Sequence, residues 1–351
     1  MIQMVQPTGV LVISIDVELA WGVFDLPDVA GFLLAIEQTR GIVAELLSLF
    51  RRHRVSATWA IVGHLFLDRC QHQNGTIHPE ITRPRHAWFP DDWFRDDPGM
   101  DRSAAPFWYG ADLVSAIRGT TPSQEIGSHS FCHMLYGDPG CSREAATSDL
   151  REACRVARAH GIAPVSFVFP RDLPGHLDVL AAHGFLCYRG QPSWWFRRLP
   201  GRRLVQAGHL LDDLLGLPPA TVRPRLEDCG LVNIPGSMLF RHARGIRRII
   251  PASSRVRKAR AGIRRAVEGG EVFHLHLHPW NFGWNRGPLM VAFSRIVEAA
   301  TAERDAGRLE ILPMGEVARR VLASQPPVRG TPHSFEGACF AKVDTSGSAE
   351  A

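Results

Sequence analysis

The chain has 351 residues, of which 45% are hydrophobic and 21% charged, and its formal net charge is +5. That composition is typical of a globular protein with a sizeable core and excludes a disordered or collagen-like chain. No apolar run reaches the roughly 18 residues of a membrane span, and residues 1–9 lack the pattern of a secretory signal. The seven cysteines form no Cys-x-x-Cys pair, which favours reduced thiols. The sequence therefore predicts a cytoplasmic protein.

Strand and helix patterns alternate along the chain. An apolar run over residues 9–15 predicts a strand that is buried on both faces. Further strands are predicted at 57–62, 125–128, 165–169, 184–188, 231–234, 272–277 and 309–312. Helices are predicted at 30–52, 142–160, 173–183, 255–268, 288–306 and 314–323. This repetition predicts an α/β fold in which about seven to eight parallel strands form a closed or nearly closed barrel.

Two stretches interrupt the repeat, and we interpret both as insertions into a single barrel domain over residues 1–323. Residues 70–110 are rich in aromatic side chains, and an excursion of this length is more often a cover over a functional site than a plain connection. Residues 189–230 form a second insertion, rich in Pro, Arg and Leu. Residues 324–351 lack periodicity and are rich in Pro, Gly, Ser and Thr, which predicts a disordered tail.

The positive charge is concentrated in residues 241–265, which contain ten Arg and Lys residues and no acidic residue. Such a segment suits an anionic membrane surface or a phosphorylated substrate, and a solvated basic face is the simpler interpretation. No nucleic-acid-binding motif surrounds the segment, so nucleic acid is not an expected partner.

Candidate catalytic side chains lie at predicted strand ends, which is where barrel enzymes carry their sites. Asp16 and Glu18 are two residues apart, so both can face the same side, and two buried carboxylates are costly unless a cation or a reaction employs them. The alternative is that one caps a helix and the other faces solvent. His129 and His133 share a face if their segment turns helically, although such a pair can arise by chance among sixteen histidines. Glu18 with these two histidines would form a carboxylate-and-imidazole set with open positions, as in catalytic zinc sites.

Three histidines alternate on one face of the last long strand: His274, His276 and His278. His278 follows the end of the strand and is the one placed to reach a pocket. Its ordinary pKa of about 6.5 suits a general acid at working pH. His274 lies deeper, and we expect it to be a hydrogen-bonded core residue.

Three segments resemble motifs of the polysaccharide deacetylase family, which is also known as the NodB-homology or carbohydrate esterase family. They are Ser14–Glu18, Glu125–His133 and His276–Trp280, in the order that the family shows. The resemblance covers roughly residues 9–320. It implies a distorted (β/α) barrel and a divalent metal, most often zinc.

The resemblance also implies a role for each motif residue. Asp16 would be the general base, His278 the general acid, and Glu18, His129 and His133 the metal ligands. The implied enzyme is a hydrolase of carbon–nitrogen bonds other than peptide bonds, which removes the N-acetyl group of a sugar in a polysaccharide or glycan precursor. A lipid-linked precursor, reached through a peripheral membrane contact of residues 241–265, is the more specific form of this expectation.

The sequence departs from the family pattern in two places. Val17 separates the two acidic residues that are usually adjacent, which leaves the choice between zinc and another divalent metal open. Val168 stands where the family carries an arginine, and we predict that Arg171 replaces it as the partner of Asp16. Three aromatic residues are predicted to contact the substrate: Trp108, Tyr109 and Trp280.

Two other functions stay open on the same fold. One is hydrolysis of a formyl group or of a non-sugar amide, since some relatives do this and some dispense with metal. The other is a catalytically silent barrel that only binds carbohydrate.

Overall fold

The structure is a computed structural model that describes residues 8–325. Its strands are β1 (Gly9–Val17), β2 (Thr58–Ile61), β3 (Glu125–Ser128), β4 (Ser166–Val168), β5 (Cys187–Arg189), β6 (Arg225–Leu226), β7 (Val232–Asn233), β8 (Met238–Leu239), β9 (Val272–Leu277) and β10 (Leu309–Ile311). Its α-helices are α1 (Ala30–Glu37), α2 (Thr39–His53), α3 (Ala111–Arg118), α4 (Arg143–Ala159), α5 (Leu177–Ala182), α6 (Arg202–Leu215), α7 (Ala252–Gly269), α8 (Arg286–Asp305) and α9 (Met314–Ala323). The predicted tail lies outside the described residues from position 326 onward.

All ten strands belong to one curled sheet with the order β6-β7-β5-β4-β3-β2-β1-β9-β8, and β10 pairs with β1. Every pairing is parallel except that between β6 and β7. The short chain segment that contains β7 and β8 pairs first with β5 and then with β9. The sheet therefore curls around toward itself, which confirms the predicted distorted (β/α) barrel.

The two faces of β1 have different surroundings, because side chains alternate along a strand. One face contributes to the large core that the helices cover, through Leu11, Ile13 and Ile15. The other face points into the curl, beginning with Val12, which packs in a smaller core with Ala60, Val168 and Met314 of α9. The same alternation places Ser14 and Asp16 above this small core. The apolar layer thus closes the amino-terminal end of the barrel and leaves the carboxyl end to polar groups.

Most predicted elements are present, with differences in the insertions. The predicted helix over 30–52 is two helices that meet at Gln38. The second insertion contains α6 and β6, which the sequence pattern did not predict. Within the described part of the chain, no helix is both long and apolar enough to cross a membrane.

The basic segment 241–265 is not a uniformly exposed face. Lys258 is buried and donates hydrogen bonds to Asp212 and Asp213 on α6. Arg255 is also buried, and its guanidinium donates to four backbone carbonyls, including that of Ile250. Part of the positive charge that was predicted to lie on the surface is therefore buried, and it links α7 to α6.

Candidate active site

Two carboxylates occupy the carboxyl end of β1, where the alternation of the strand directs both to the inner face. Asp16 is only 1% exposed and Glu18 only 4% exposed. An ionised carboxylate is unstable in such surroundings unless it is paired or coordinates a cation. Each carboxylate therefore requires a pairing partner or a cation, and the partners of the two come from different strands.

Arg189, the last residue of β5, pairs with Asp16. Its Nη1 donates to Asp16 Oδ1 and its Nη2 to Oδ2, both at 2.7 Å, and Nη1 also donates to Ser14 Oγ at 3.1 Å. Burial alone would raise the pKa of Asp16, but the charges of Arg189 and His278 outweigh it and hold the pKa below its usual value. Asp16 is therefore an oriented anion at neutral pH.

The prediction that Arg171 pairs with Asp16 is wrong. Arg171 Nη2 donates to Asp25 Oδ2 at 2.6 Å, and its guanidinium lies 5.1 Å from the ring centre of Trp88. The chain leaves β4 through a left-handed turn, with φ of 55° at Arg171, and the side chain reaches the first insertion instead. Arg189 was missed although it directly follows the predicted strand 184–188. A search of every strand end would have included it as a candidate, but would not have identified Asp16 as its partner.

Glu18 lies between two imidazoles. Its Oε1 is 3.0 Å from His129 Nε2 and 3.4 Å from His133 Nε2, and its Oε2 accepts a hydrogen bond from Trp280 Nε1 at 3.2 Å. His129 Nδ1 donates to the carbonyl of Val168 at 2.8 Å, which turns its Nε2 toward Glu18. Burial alone would raise the pKa of Glu18, but His278 and the hydrogen bonds hold it well below its usual value.

The loop that carries the two histidines is not helical, so a helical turn is not what brings them together. Ser130 and His133 are left-handed, with φ of 66° and 57°, and the imidazole centres are 5.1 Å apart. Asp149 of α4 holds the loop by accepting from the backbone N–H groups of Phe131 at 2.8 Å and Cys132 at 3.1 Å. A buried carboxylate, rather than helical periodicity, therefore brings the imidazoles together.

His278 completes the cluster from the end of β9. Its Nε2 is 3.3 Å from Glu18 Oε1 and 3.5 Å from Asp16 Oδ2, and its side chain is 19% exposed. Burial would lower its pKa, but the two carboxylates outweigh this and raise the pKa above its ordinary value. His278 thus lies next to both carboxylates, and solvent can reach its side chain.

The other two strand histidines face the same interior. His274 is hydrogen-bonded to the carbonyl of Ile234 at 3.1 Å and to Ser14 Oγ at 2.9 Å, so its predicted position in the core is confirmed. His276 is buried, and neither of its ring nitrogens has a hydrogen-bond partner among the described residues.

The three aromatic residues that were predicted to contact the substrate lie in different places. Trp280 is at the site, with its ring 4.6 Å from that of His278. Tyr109 is fully buried and its hydroxyl lies 3.0 Å from Cys70 Sγ, so the prediction that it contacts the substrate is wrong. Trp108 is half-buried and packs edge-on against Trp21 at 5.1 Å.

The chemistry of Glu18, His129 and His133 fits a divalent metal ion. One carboxylate oxygen and two imidazole nitrogens lie within 4.8 Å of one another, which is the donor set of an open catalytic zinc site. The carbonyl behind His129 supplies the outer hydrogen bond that metal-binding histidines usually make. The carboxylate of Asp16 and the imidazole of His278 lie beside these donors.

No family model and no curated protein matches this chain. A solved structure described as a “putative polysaccharide deacetylase” from Mycobacterium smegmatis aligns with a TM-score of 0.61 and 15% identity, over 94% of this chain and 97% of that one. A probable polysaccharide deacetylase from Pseudomonas aeruginosa PAO1 gives 0.55 and 14%, over 90% and 92%. The Puue allantoinase gives 0.56 and 13%, over 90% and 91%. The chain therefore has the NodB-like fold of these deacetylases.

Replacement of Arg189 by methionine should lower the free energy of unfolding by about 3–5 kcal/mol, because it leaves a buried carboxylate without its partner. Urea denaturation measures this change. The control is Arg198→Met, at an exposed position in the same insertion, which should change the free energy by no more than about 0.5 kcal/mol. Equal stability of the two variants would contradict the pairing.

Proposed function

We propose that this protein is a metal-dependent deacetylase that hydrolyses the N-acetyl amide of a sugar. The observation that carries the proposal is the meeting of Glu18, His129 and His133 next to Asp16 and His278, at the carboxyl ends of β1, β3 and β9. The NodB-like fold, which the chain shares with solved deacetylases, supports it.

Each residue of the cluster has a proposed role. Glu18 Oε1 and the Nε2 atoms of His129 and His133 would hold the metal. A divalent ion bound there, most simply zinc, supplies a Lewis acid that polarises the amide carbonyl and makes water more acidic. Asp16, which Arg189 keeps anionic and oriented, accepts the proton of the attacking water.

The leaving nitrogen needs a proton before the carbon–nitrogen bond breaks. His278 is placed to give it, because its Nε2 lies beside the two carboxylates, which raise its pKa, and its side chain is partly exposed. Trp280 lies over His278 and fixes Glu18, so it is placed to contact the sugar beside the amide.

The substrate is proposed to be an N-acetylated sugar of a glycan precursor inside the cell. Membrane contact of a lipid-linked precursor rests on residues 241–265, where Ile246 and Ile249 are 66% and 57% exposed beside arginines. Sedimentation with anionic liposomes at low salt would detect this contact.

A second candidate is hydrolysis of a formyl group or of a non-sugar amide. The fold is also that of the Puue allantoinase, so the fold alone does not select the substrate. Release of acetate, formate or neither from matched sugar and non-sugar amides separates the candidates.

Substitution Asp16→Asn should reduce acetate release from N-acetylhexosamine conjugates by about 10²–10⁴-fold, because the general base is lost. The matched control is Asp178→Asn, an exposed carboxylate paired with Arg143, which should keep the wild-type rate. A chelator should abolish activity, and the variants Glu18→Ala and His129→Ala should abolish both activity and the metal bound at this site. Full activity of both ligand variants would falsify the metal mechanism. Carbohydrate binding without acetate release by the wild type, unchanged in Asp16→Asn, would instead support the silent carbohydrate-binding barrel.

Substitution His278→Gln should act on the leaving group alone. Hydrolysis of the amide should fall by about 10²–10⁴-fold, whereas an aryl acetate, whose phenolate leaves without a proton, should lose less than about tenfold. The two rates are measured on the same preparation. Equal losses for both substrates would show that His278 does not act as the acid.

A further inference from the structure

A second cluster of metal-ligand side chains lies in the first insertion and the turn before it. His64, Cys70, His78 and Asp97 each offer one ligand atom, and these four atoms all lie within 4.8 Å of one another. The side chains of His64 and Asp97 are fully buried, and that of His78 is 8% exposed. Nothing in the proposed hydrolysis employs this cluster.

The spacing of the donor atoms matches a tetrahedral site. Zinc bonds of about 2.0–2.3 Å place the corners of a tetrahedron about 3.3–3.6 Å apart. Cys70 Sγ is 3.6 Å from His64 Nε2 and 3.5 Å from Asp97 Oδ2. His78 Nε2 is 3.5 Å and His64 Nε2 2.9 Å from Asp97 Oδ2. Four of the six donor pairs therefore lie 2.9–3.6 Å apart, close to the edge lengths of such a tetrahedron.

Both imidazoles are oriented by hydrogen bonds from Nδ1, the ring nitrogen that faces away from the cluster. His64 Nδ1 donates to the carbonyl of Trp108 at 3.1 Å, and His78 Nδ1 donates to Glu80 Oε1 at 3.1 Å. These are the outer hydrogen bonds that fix metal-binding histidines. With Nδ1 as the donor of each ring, Nε2 is the nitrogen available to a metal ion beside Asp97, and the buried Nε2 of His78 has no hydrogen-bond partner among the described residues. The two Nε2 atoms lie 2.9 and 3.5 Å from Asp97 Oδ2, so all three can bind one ion.

We propose that His64, Cys70, His78 and Asp97 bind a structural zinc ion. Sulfur and imidazole donors with one carboxylate in a tetrahedral arrangement favour zinc over magnesium or calcium. The Cys70 thiol loses its proton to solvent on binding and coordinates as the thiolate. Four protein ligands close this site, unlike the three-donor set at Glu18, so it has no position for a substrate.

The position of the cluster gives the ion a mechanical role. The backbone N–H groups of Gly63 and His64 donate to the carbonyls of Ser130 and Phe131, both at 2.8 Å. These two carbonyls belong to the loop that carries His129 and His133. The zinc ion would thus fasten the first insertion, which has little regular secondary structure of its own, against the active-site loop.

Cobalt substitution tests the proposal without reference to activity. Metal-free, reduced full-length protein is titrated with Co²⁺, and the thiolate-to-cobalt charge-transfer absorption is recorded in the near ultraviolet. We expect the band to saturate at one Co²⁺ per chain in Glu18→Gln, and at no more than two in the wild type, where the site at Glu18 also takes up the ion. Cys70→Ser should abolish it, and His78→Gln should weaken cobalt binding by at least about tenfold.

Two control variants separate this site from its surroundings. Cys229→Ser, at another half-buried free cysteine, should keep the band. Glu18→Gln should also keep it, so that failure of the active-site metal and failure of this site are distinguishable. Absence of the band in folded wild-type protein, or its persistence in Cys70→Ser, would overturn the proposal. If Cys70→Ser does not fold, loss of affinity in His78→Gln decides the question.

Discussion

The candidate active site depends on the burial of two carboxylates at the end of β1. Asp16 and Glu18 are both removed from water, and each is stabilised by a different partner. The bidentate contact with Arg189 compensates Asp16, whereas Glu18 faces three imidazoles. Asp16 is paired with a fixed positive charge, whereas the imidazoles beside Glu18 are potential ligands of the same metal ion. Asp16 can therefore serve as the proposed base and Glu18 as the proposed metal ligand.

Part of this arrangement follows from the sequence alone. The period-two alternation on β1 and β9 and the rule that barrel sites lie at strand ends suffice to bring Asp16, Glu18 and His278 together. Arg189 required knowledge of how β5 faces β1 across the curl, a relation between positions 173 residues apart that no local pattern encodes. The backbone conformation of the loop around Ser130 could not be predicted for a related reason, because a distant carboxylate rather than local propensity determines it.

The first insertion illustrates the same limit. The prediction that it covers a functional site came from its length and aromatic content, and Tyr109 was placed at the substrate on that basis. The side chain instead contacts a cluster that extends from His64 to Asp97, without the close Cys-x-x-Cys spacing by which zinc sites are recognised in a sequence. The two proposed metal sites would then have different roles. An open three-donor set suits a catalytic ion, and a closed four-donor set suits a structural ion.

Anomalous diffraction at the zinc absorption edge tests the central claim most directly. Crystals grown with zinc should show a peak about 2.0–2.2 Å from Glu18 Oε1 and from the Nε2 atoms of His129 and His133, with Asp16 still paired to Arg189. Absence of that peak, with Glu18 hydrogen-bonded to His129 as a metal-free pair, would contradict the claim that these residues form a metal site for hydrolysis.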